Sequence, residues 1–509
     1  MNDGIKTDLQ PAWTGITERC GAYGVFLCAF ALYLLNLAPQ VIWGDSAKLC
    51  ILSYTHTIGA SPSMHSLHAV IGNLFGHLPF GGYAYRLNLM SAFWGAAAVT
   101  VVYAIVKEAT GSGFAALAAA VSLTVSHTMF LLSVITETYT LYAFFLSLTM
   151  YLTLKWDREG NPWHLYLACF FFCMGLAAHP LIIMSALGLL YCVLASDRRS
   201  SIGTGQALRL SAALLLGLSP IMVFAAYTLH AQGFRGLAWV LANDPANSWV
   251  SLKAPVDLLK GAGKYLAMLM YQFPVAGFCL GAAGSALSYR GDRKLFRTLL
   301  LIFLCNVVFV LHYGEAKQYS LSLGSYLMFS IWIGVGAAWF LRYAAGRAGT
   351  AIKAAVLAVP AILPPVFYGR MPVFVDKLGI DLVHARFIPY RDNDKFFLVP
   401  WKRNDKGPLL YADEVFRIAG PGSIIVVDYT VMKVLEYYMK VEGKGAGRNL
   451  VFVDYPFRKL DVGIVDENIS KVPVYIASQE FEEDYSLAEL RKKYVLEARG
   501  PLYEVKAKN

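Results

Sequence analysis

The sequence predicts a polytopic α-helical membrane protein of about 11 transmembrane helices, followed by a C-terminal α/β soluble domain. Three observations carry this reading. Only 15% of the 509 residues are charged and 57% are hydrophobic, whereas soluble domains carry roughly 25% charged residues. Apolar runs of about 20 residues, enough to cross roughly 30 Å of hydrocarbon, recur from the N-terminus to Tyr368. Beyond Tyr368 the runs stop and charges come every few positions. Residues 1–369 are therefore expected to form the membrane region and 370–509 the soluble domain.

The runs fall at Ala22–Pro39, Leu87–Val106, Phe114–Ile135, Leu141–Lys155, Leu165–Ala178, Leu181–Ala195, Ala207–Leu229, Tyr265–Leu287, Leu299–Tyr313, Leu321–Leu341 and Ala351–Tyr368. The first twenty residues carry Asp3, Asp8 and Glu18 and no small-residue cleavage site, so the first run is expected to be a retained helix. Between Trp43 and Tyr85 the amphipathic segment Ser66–Leu78 suits the membrane interface.

Lys and Arg near the span ends divide into two sets. One holds Lys6, Arg19, Lys107, Lys155, Arg158, Arg198, Arg199, Arg209, Arg290, Arg293, Lys294, Arg297, Arg342, Arg347 and Lys353. The other holds Lys48, Arg86, Arg235, Lys253, Lys260, Lys264 and Lys317. The richer set should be cytoplasmic, which puts the N-terminus inside and the soluble domain outside. The net charge of +10 is thus a topology signal. From Arg370 onward 22 basic residues face 21 acidic ones, with no basic stripe, so nucleic acid is not an expected partner. The 8 cysteines all precede residue 370; Cys169 and Cys173 lie one turn apart in an aromatic run and read as packing, not as zinc ligands.

In the tail, Gly420–Ser423 reads as a turn before a buried strand at Ile424–Asp428. A helix at Val431–Val441, strands at Asn449–Asp454 and Val474–Ala477, a helix at Leu487–Lys493 and a strand near Leu502–Val505 continue a small layered sheet. The glycine-rich Gly443–Gly447 follows a helix and precedes a strand, the wrong order for a phosphate cradle, and reads as a connection.

Candidate chemistry comes from acids where lipid meets water, because an ionised group there is costly unless paired or solvated. Five acids of the membrane region share the expected outer face: Asp45, Glu137, Asp244, Asp257 and Glu315. Asp244 and Asp257 belong to a long polar loop and read as solvated. Asp45, Glu137 and Glu315 sit at span ends, and His179-Pro180 links two spans at the same level. The bland alternatives are a helix cap for Asp45, an interfacial acid for Glu137 and a backbone-satisfied loop residue for His179.

Trp43-Gly44-Asp45-Ser46, then Pro79-Phe80-Gly81 and Tyr85-Arg86-Leu87-Asn88-Leu89-Met90-Ser91-Ala92, resemble bacterial members of the family that includes transmembrane protein 260. Those are GT-C-fold membrane glycosyltransferases related to protein O-mannosyltransferases. Thr136–Tyr142, His179, Gly314-Glu315 and Tyr319 agree with the resemblance, as does Gly422–Asp454. Two departures stand out. Gly44-Asp45-Ser46-Ala47-Lys48 replaces the family's Gly-Asp-Ser-Gly-Glu, and Ser61-Pro62-Ser63-Met64 replaces its His-Pro-Pro-Gly.

The resemblance implies sugar transfer from a polyprenyl-phosphate-linked donor, a membrane lipid, to a protein or glycan hydroxyl at the outer face of a bacterial inner membrane. Nucleotide sugars are cytosolic, so an outer-face site needs a donor that crosses with the membrane. Asp45 is the candidate general base. Lys48, Arg86 and Lys317 are candidates for the donor phosphate, with interfacial snorkelling as the alternative for Arg86 and Lys317. Glu137, Glu315 and His179 support Asp45 or hold a divalent metal ion, a cofactor on which the residues do not decide. Two other classes stay open: a transporter or lipid flippase, and an inactive lipid-binding relative. Transporters place ionisable groups near the midplane, often in repeated halves, and no internal repeat is found here.

Overall fold

A computed structural model describes residues 13–59, 64–242, 250–313, 319–343, 349–383, 385–453, 460–480, 482 and 485–508. The first apolar run folds as α1 (Trp13–Leu34). Two short helices follow, α2 (Asp45–Tyr54) and α3 (Ser66–Gly76), before the long α4 (Tyr83–Thr110). α5 (Gly113–Val125) is capped by Ser112, which accepts from the Ala115 N–H, and bends by 66° into α6 (His127–Ser133). α7 (Tyr139–Glu159) precedes α8 (Pro162–Ala178), capped by Asn161, and a 3₁₀ turn leads into α9 (Ala186–Leu194). α10 (Thr204–Gly217) and α11 (Ser219–Ala242) form a pair bent by 50°. α12 (Pro255–Gln272) and α13 (Ala276–Gly291) meet at 112°, followed by α14 (Arg293–His312), α15 (Leu323–Tyr343) and α16 (Gly349–Leu378).

Each of the expected runs lies on a helix or bent pair. Among the described residues, 4 helices are long and apolar enough to cross a membrane alone, and the bent pairs raise this to 7. The shorter apolar helices Gly21–Leu34, Pro162–Ala178 and Pro180–Leu194 complete the apolar set. The chain is an integral membrane protein. One expected span is corrected: Tyr265–Leu287 is no straight crossing but a sharp corner at Phe273-Pro274-Val275. Pro274 has no N–H to continue the helix, and Val275 sits at φ 45°, strained for a β-branched residue. A second broken junction, at Ser126 between α5 and α6, is tied to this corner. The Tyr368 hydroxyl accepts from the His127 N–H at 3.0 Å and faces the Tyr271 and Gln272 carbonyls, while Gln272 accepts from Thr128 N–H at 2.7 Å.

Contacts between loops sort the two faces. Lys294 pairs with Asp157 at 2.5 Å, Arg158 with Glu108 at 3.8 Å, and Arg342 donates to the Thr110 carbonyl at 3.0 Å. These residues share the loops of the basic-rich set. On the other side Lys253 donates to the Tyr313 carbonyl at 2.8 Å.

The bundle closes on small residues. α13 and α15 cross where a Cβ at Gly284 would strike the Trp332 carbonyl oxygen, and one at Gly336 the Leu280 carbonyl oxygen. Backbone contact of this kind is what small residues permit between membrane helices. Gly284→Leu is expected to abolish folded protein in detergent, read as loss of the monodisperse peak in size-exclusion chromatography.

α16 continues through residue 370 to Leu378, so the polypeptide leaves the bundle without a break. The tail then forms α17 (Asn393–Leu398), α18 (Gly407–Ile418), β1 (Ile424–Asp428), α19 (Tyr429–Lys440), β2 (Asn449–Val453), α20 (Gly463–Asn468), β3 (Val474–Ile476), α21 (Leu487–Lys493), β4 (Tyr494–Arg499) and β5 (Leu502–Ala507). The sheet order is β2-β1-β3-β5-β4. β1 pairs in parallel with both β2 and β3, while β5 is antiparallel to β3 and β4. The expected α/β layering holds, and Gly443–Gly447 is the connection from α19 to β2, with Gly443, Gly445 and Gly447 at positive φ. β4, α17, α18 and α20 were outside the expectation.

The tail is seated on the loop after α1. Val41, Trp43, Ala47 and Cys50 share one apolar cluster with Tyr411, Val434 and Leu435. Trp43 meets Tyr411 edge-on at 5.4 Å between centroids. The Tyr437 hydroxyl accepts from the Ala84 N–H at 3.3 Å. The soluble domain thus lies on the face that carries Asp45.

Candidate functional site

Asp45 is the first residue of α2, and Gly44 before it takes φ 96°, a conformation costly for any side chain. Ser46 accepts from the Ile42 N–H at 3.4 Å, closing the turn. α4 holds this loop from beneath. Asn88 donates to the Ala38 and Gln40 carbonyls at 2.8 and 3.2 Å and accepts from the Thr136 hydroxyl at 2.6 Å. One turn on, the Ser91 hydroxyl accepts from the Glu137 N–H at 3.3 Å. Asn88 and Ser91 therefore clamp the Asp45 loop and the Glu137 turn to one helix face, which accounts for the most specific stretch of the sequence motif.

Glu137 lies in the turn between α6 and α7. Burial, with the Asp45 carboxylate next in weight, pushes its carboxyl up to about 8; Lys48 and the Thr138 N–H act the other way. These causes favour the protonated form of the Glu137 carboxyl near neutral pH. Lys48, three residues after Asp45 on α2, is half-buried beside the two carboxyls. A raised carboxyl in the fold means that the native state binds more protons than the unfolded chain between roughly pH 4.5 and 8. Stability should fall as pH rises through that window. Glu137→Gln is expected to flatten the slope of melting temperature against pH there, measured by intrinsic-fluorescence melts.

His179 closes α8 and is buried. Its Nδ1 accepts from the Leu181 N–H at 3.1 Å, so the neutral ring carries its proton on Nε2. It stacks on His65 at 4.8 Å and packs against Tyr139 at 4.9 Å. Burial, with His65 second, holds it well below the usual imidazole range, so it acts as a neutral wall. Tyr139 and Tyr319 both lie within the electrostatic reach of Glu137. The buried His68 of α3 lies by the Glu137 backbone.

Arg86 has a structural engagement that the sequence did not disclose. Its Nη1 donates to the Gly76 and Leu78 carbonyls at 2.6 and 2.7 Å, and Nε to Gly82 at 3.3 Å, satisfying the open C-terminus of α3. Arg86→Met is expected to lower stability by about 1–2 kcal/mol, read in thermal melts. Glu315, Lys317 and Asp244 lie outside the described residues. Asp257 stands exposed in the first turn of α12.

From the other side, the Tyr429 hydroxyl donates to Asp45 Oδ1 at 2.5 Å. No local sequence signal marks this contact. Among the described residues no group of three His, Cys, Asp or Glu side chains is arranged to hold a metal ion. Asp45 and Glu137 offer carboxylate oxygens, and the neutral His179 does not present Nδ1. An apolar cavity of about 390 Å³ opens between α1, α5 and α16, walled by Phe130, Pro365 and Trp401; none of the site residues lines it.

Residues 45–202 match the family model described as the protein O-mannosyl-transferase TMEM260 N-terminal domain. Mouse protein O-mannosyl-transferase TMEM260 is 30% identical over 140 residues, which is 27% of this chain and 20% of that protein. The chain thus spans about a fifth of the curated relative it matches. ArnT from Cupriavidus metallidurans, solved bound to undecaprenyl phosphate, superposes with a TM-score of 0.59 at 11% identity, covering 95% of this chain and 98% of that one. The Archaeoglobus fulgidus oligosaccharyltransferase, solved in complex with Zn and sulfate, gives 0.51 at 13% identity, covering 95% and 73%. The whole chain, soluble domain included, therefore has the GT-C fold, and the matched segment begins at Asp45.

Proposed function

We propose that this GT-C-fold chain is a membrane glycosyltransferase that moves a sugar from a polyprenyl-phosphate carrier to a protein or glycan hydroxyl at the outer membrane face. The observation that supports it most is the pairing of the solvent-accessible Asp45 with the half-buried Glu137 beside Lys48, at the junction of membrane region and soluble domain, within the segment matched to a mannosyltransferase family. Mannose, named for the relative, is the first sugar to test.

In the reaction the acceptor oxygen attacks the anomeric carbon, and its proton passes to the Asp45 carboxylate. The bond from the anomeric carbon to phosphate breaks, and polyprenyl phosphate leaves with the electron pair. The face opposite the leaving group is attacked, so the anomeric centre inverts. Lys48 stabilises the phosphate charge, a task shared with Lys317. Glu137 keeps a proton and positions Asp45 without adding a second negative charge. Arg86 sets α3 in place beneath the donor headgroup.

Topology and chemistry are tested together in proteoliposomes loaded with polyprenyl-phosphate mannose and an acceptor. Covalent transfer to an acceptor on the soluble-domain side is the expected result. Movement of intact donor between leaflets without transfer would favour a flippase. A reporter fused after Asn509 that is active only in the cytosol would overturn the outer-face assignment and the need for a lipid-linked donor.

A further inference from the structure

We propose that Tyr429 of the soluble domain is a positioning residue for the transfer reaction, fixing Asp45 so that one carboxylate oxygen is left to take the acceptor's proton. This rests on the glycosyltransferase reading above. Asp45 Oδ1 receives the Tyr429 hydroxyl at 2.5 Å. A bond from a neutral donor to an ionised carboxylate is stronger and more directional than a neutral pair. It assigns Oδ2 to the acceptor hydroxyl.

The delivery of Tyr429 is itself engineered by the fold. It is the first residue of α19, at the carboxyl end of β1, between two parallel neighbours. That end of a parallel sheet is where functional side chains gather. Its neighbour Asp428 is 4% exposed, and its carboxylate is held from three directions. Arg386 Nη2 donates at 2.6 and 2.8 Å, the Tyr485 hydroxyl at 2.8 Å, and the Thr430 N–H at 3.1 Å, capping α19. A buried carboxylate so fully bonded is a rigid mount, because losing Arg386 strands its charge and losing a neutral donor leaves a buried oxygen unpaired. Tyr429 therefore leaves a fixed point and reaches the general-base carboxylate 384 positions away. The soluble domain is a wall of the active site in this arrangement, and an acceptor must enter beside it.

Tyr429→Phe keeps the ring and the domain contact while removing the hydroxyl. It is expected to lower kcat about 10-fold with the donor KM unchanged, while Tyr429→Ala lowers kcat and also weakens domain docking. A role limited to docking would leave the phenylalanine variant at wild-type kcat, which would overturn the proposal. A second measurement does not depend on turnover. An Asp45→Cys/Tyr429→Cys pair, in a Cys28→Ala/Cys50→Ala/Cys279→Ala background, is expected to be bridged in membranes by a bis-maleimide whose spacer replaces the length of the lost ring, since a direct disulfide would need the two backbones closer than a hydroxyl contact requires. Absence of that crosslink would overturn the proposal whatever the kinetics. A crosslinking protein whose wild type transfers no sugar would sink the glycosyltransferase reading, and the positioning role of Tyr429 with it, but not the placement of the soluble domain on Asp45.

Discussion

Asp45→Asn is expected to reduce kcat by about 100-fold or more, with little change in donor KM. Asparagine keeps the shape of the side chain and still accepts a hydrogen bond through its carbonyl oxygen, so the turn at Gly44 and the Tyr429 contact have no reason to collapse. What disappears is the site that takes the acceptor's proton. The neighbouring carboxyl is a poor substitute, because burial, the larger of the causes that raise Glu137, persists when the Asp45 charge is removed. Folding is checked separately by the melting temperature, which should stay near that of the wild type. Full turnover in a well-folded Asp45→Asn protein would remove the general-base assignment.

Lys48→Met should produce an effect of similar size, about 100-fold to 1000-fold in kcat, because a preorganised, half-buried cation stabilises the departing phosphate. Lys48→Arg is expected to keep part of the activity by keeping the charge. Lys48 also lowers the proton affinity of Glu137. Its loss should therefore extend the window over which stability falls with pH to higher values, with the slope disappearing again in the Lys48→Met/Glu137→Gln double variant. Steady-state kinetics on polyprenyl-phosphate mannose, paired with melts across pH 5 to 9, separate the two effects. Wild-type kcat in Lys48→Met would transfer the phosphate role to Lys317 and leave Lys48 as a modulator of Glu137.

Much of the architecture was legible because lipid enforces a simple pattern. The eleven apolar runs land on helices since each must satisfy its own backbone. Hydropathy does not record direction, however, so Pro274 turned one expected crossing into a 112° corner unseen. The strands β1 and β3 were readable as continuous apolar runs because both faces of a parallel sheet are covered. β4 was not, since Tyr494–Arg499 alternates and ends in charges at the sheet edge. Within the site, Asp45 and Glu137 announced themselves as acids where acids are costly. Asn88 and Ser91 were visible only as motif letters; their spacing places both on one helix face, and the structure supplies the loops they clamp. Tyr429 and the anchor of Asp428 on Arg386 had no signal at all, because a contact across most of the chain leaves no local periodicity. Arg86 shows the converse: a basic residue at a span end looks the same whether it meets phosphate or helix carbonyls.

The most direct test of the central claim is mass-spectrometric detection of free polyprenyl phosphate after the purified protein, in lipid nanodiscs, is given polyprenyl-phosphate mannose and a mixture of peptide and glycan acceptors. Polyprenyl phosphate should appear in step with mannosylated acceptor in the wild type, and fall by about 100-fold in Asp45→Asn. Donor that stays intact in the wild type across polyprenyl-phosphate hexoses, in protein that binds it, would contradict the account and leave a lipid-binding relative without transferase chemistry.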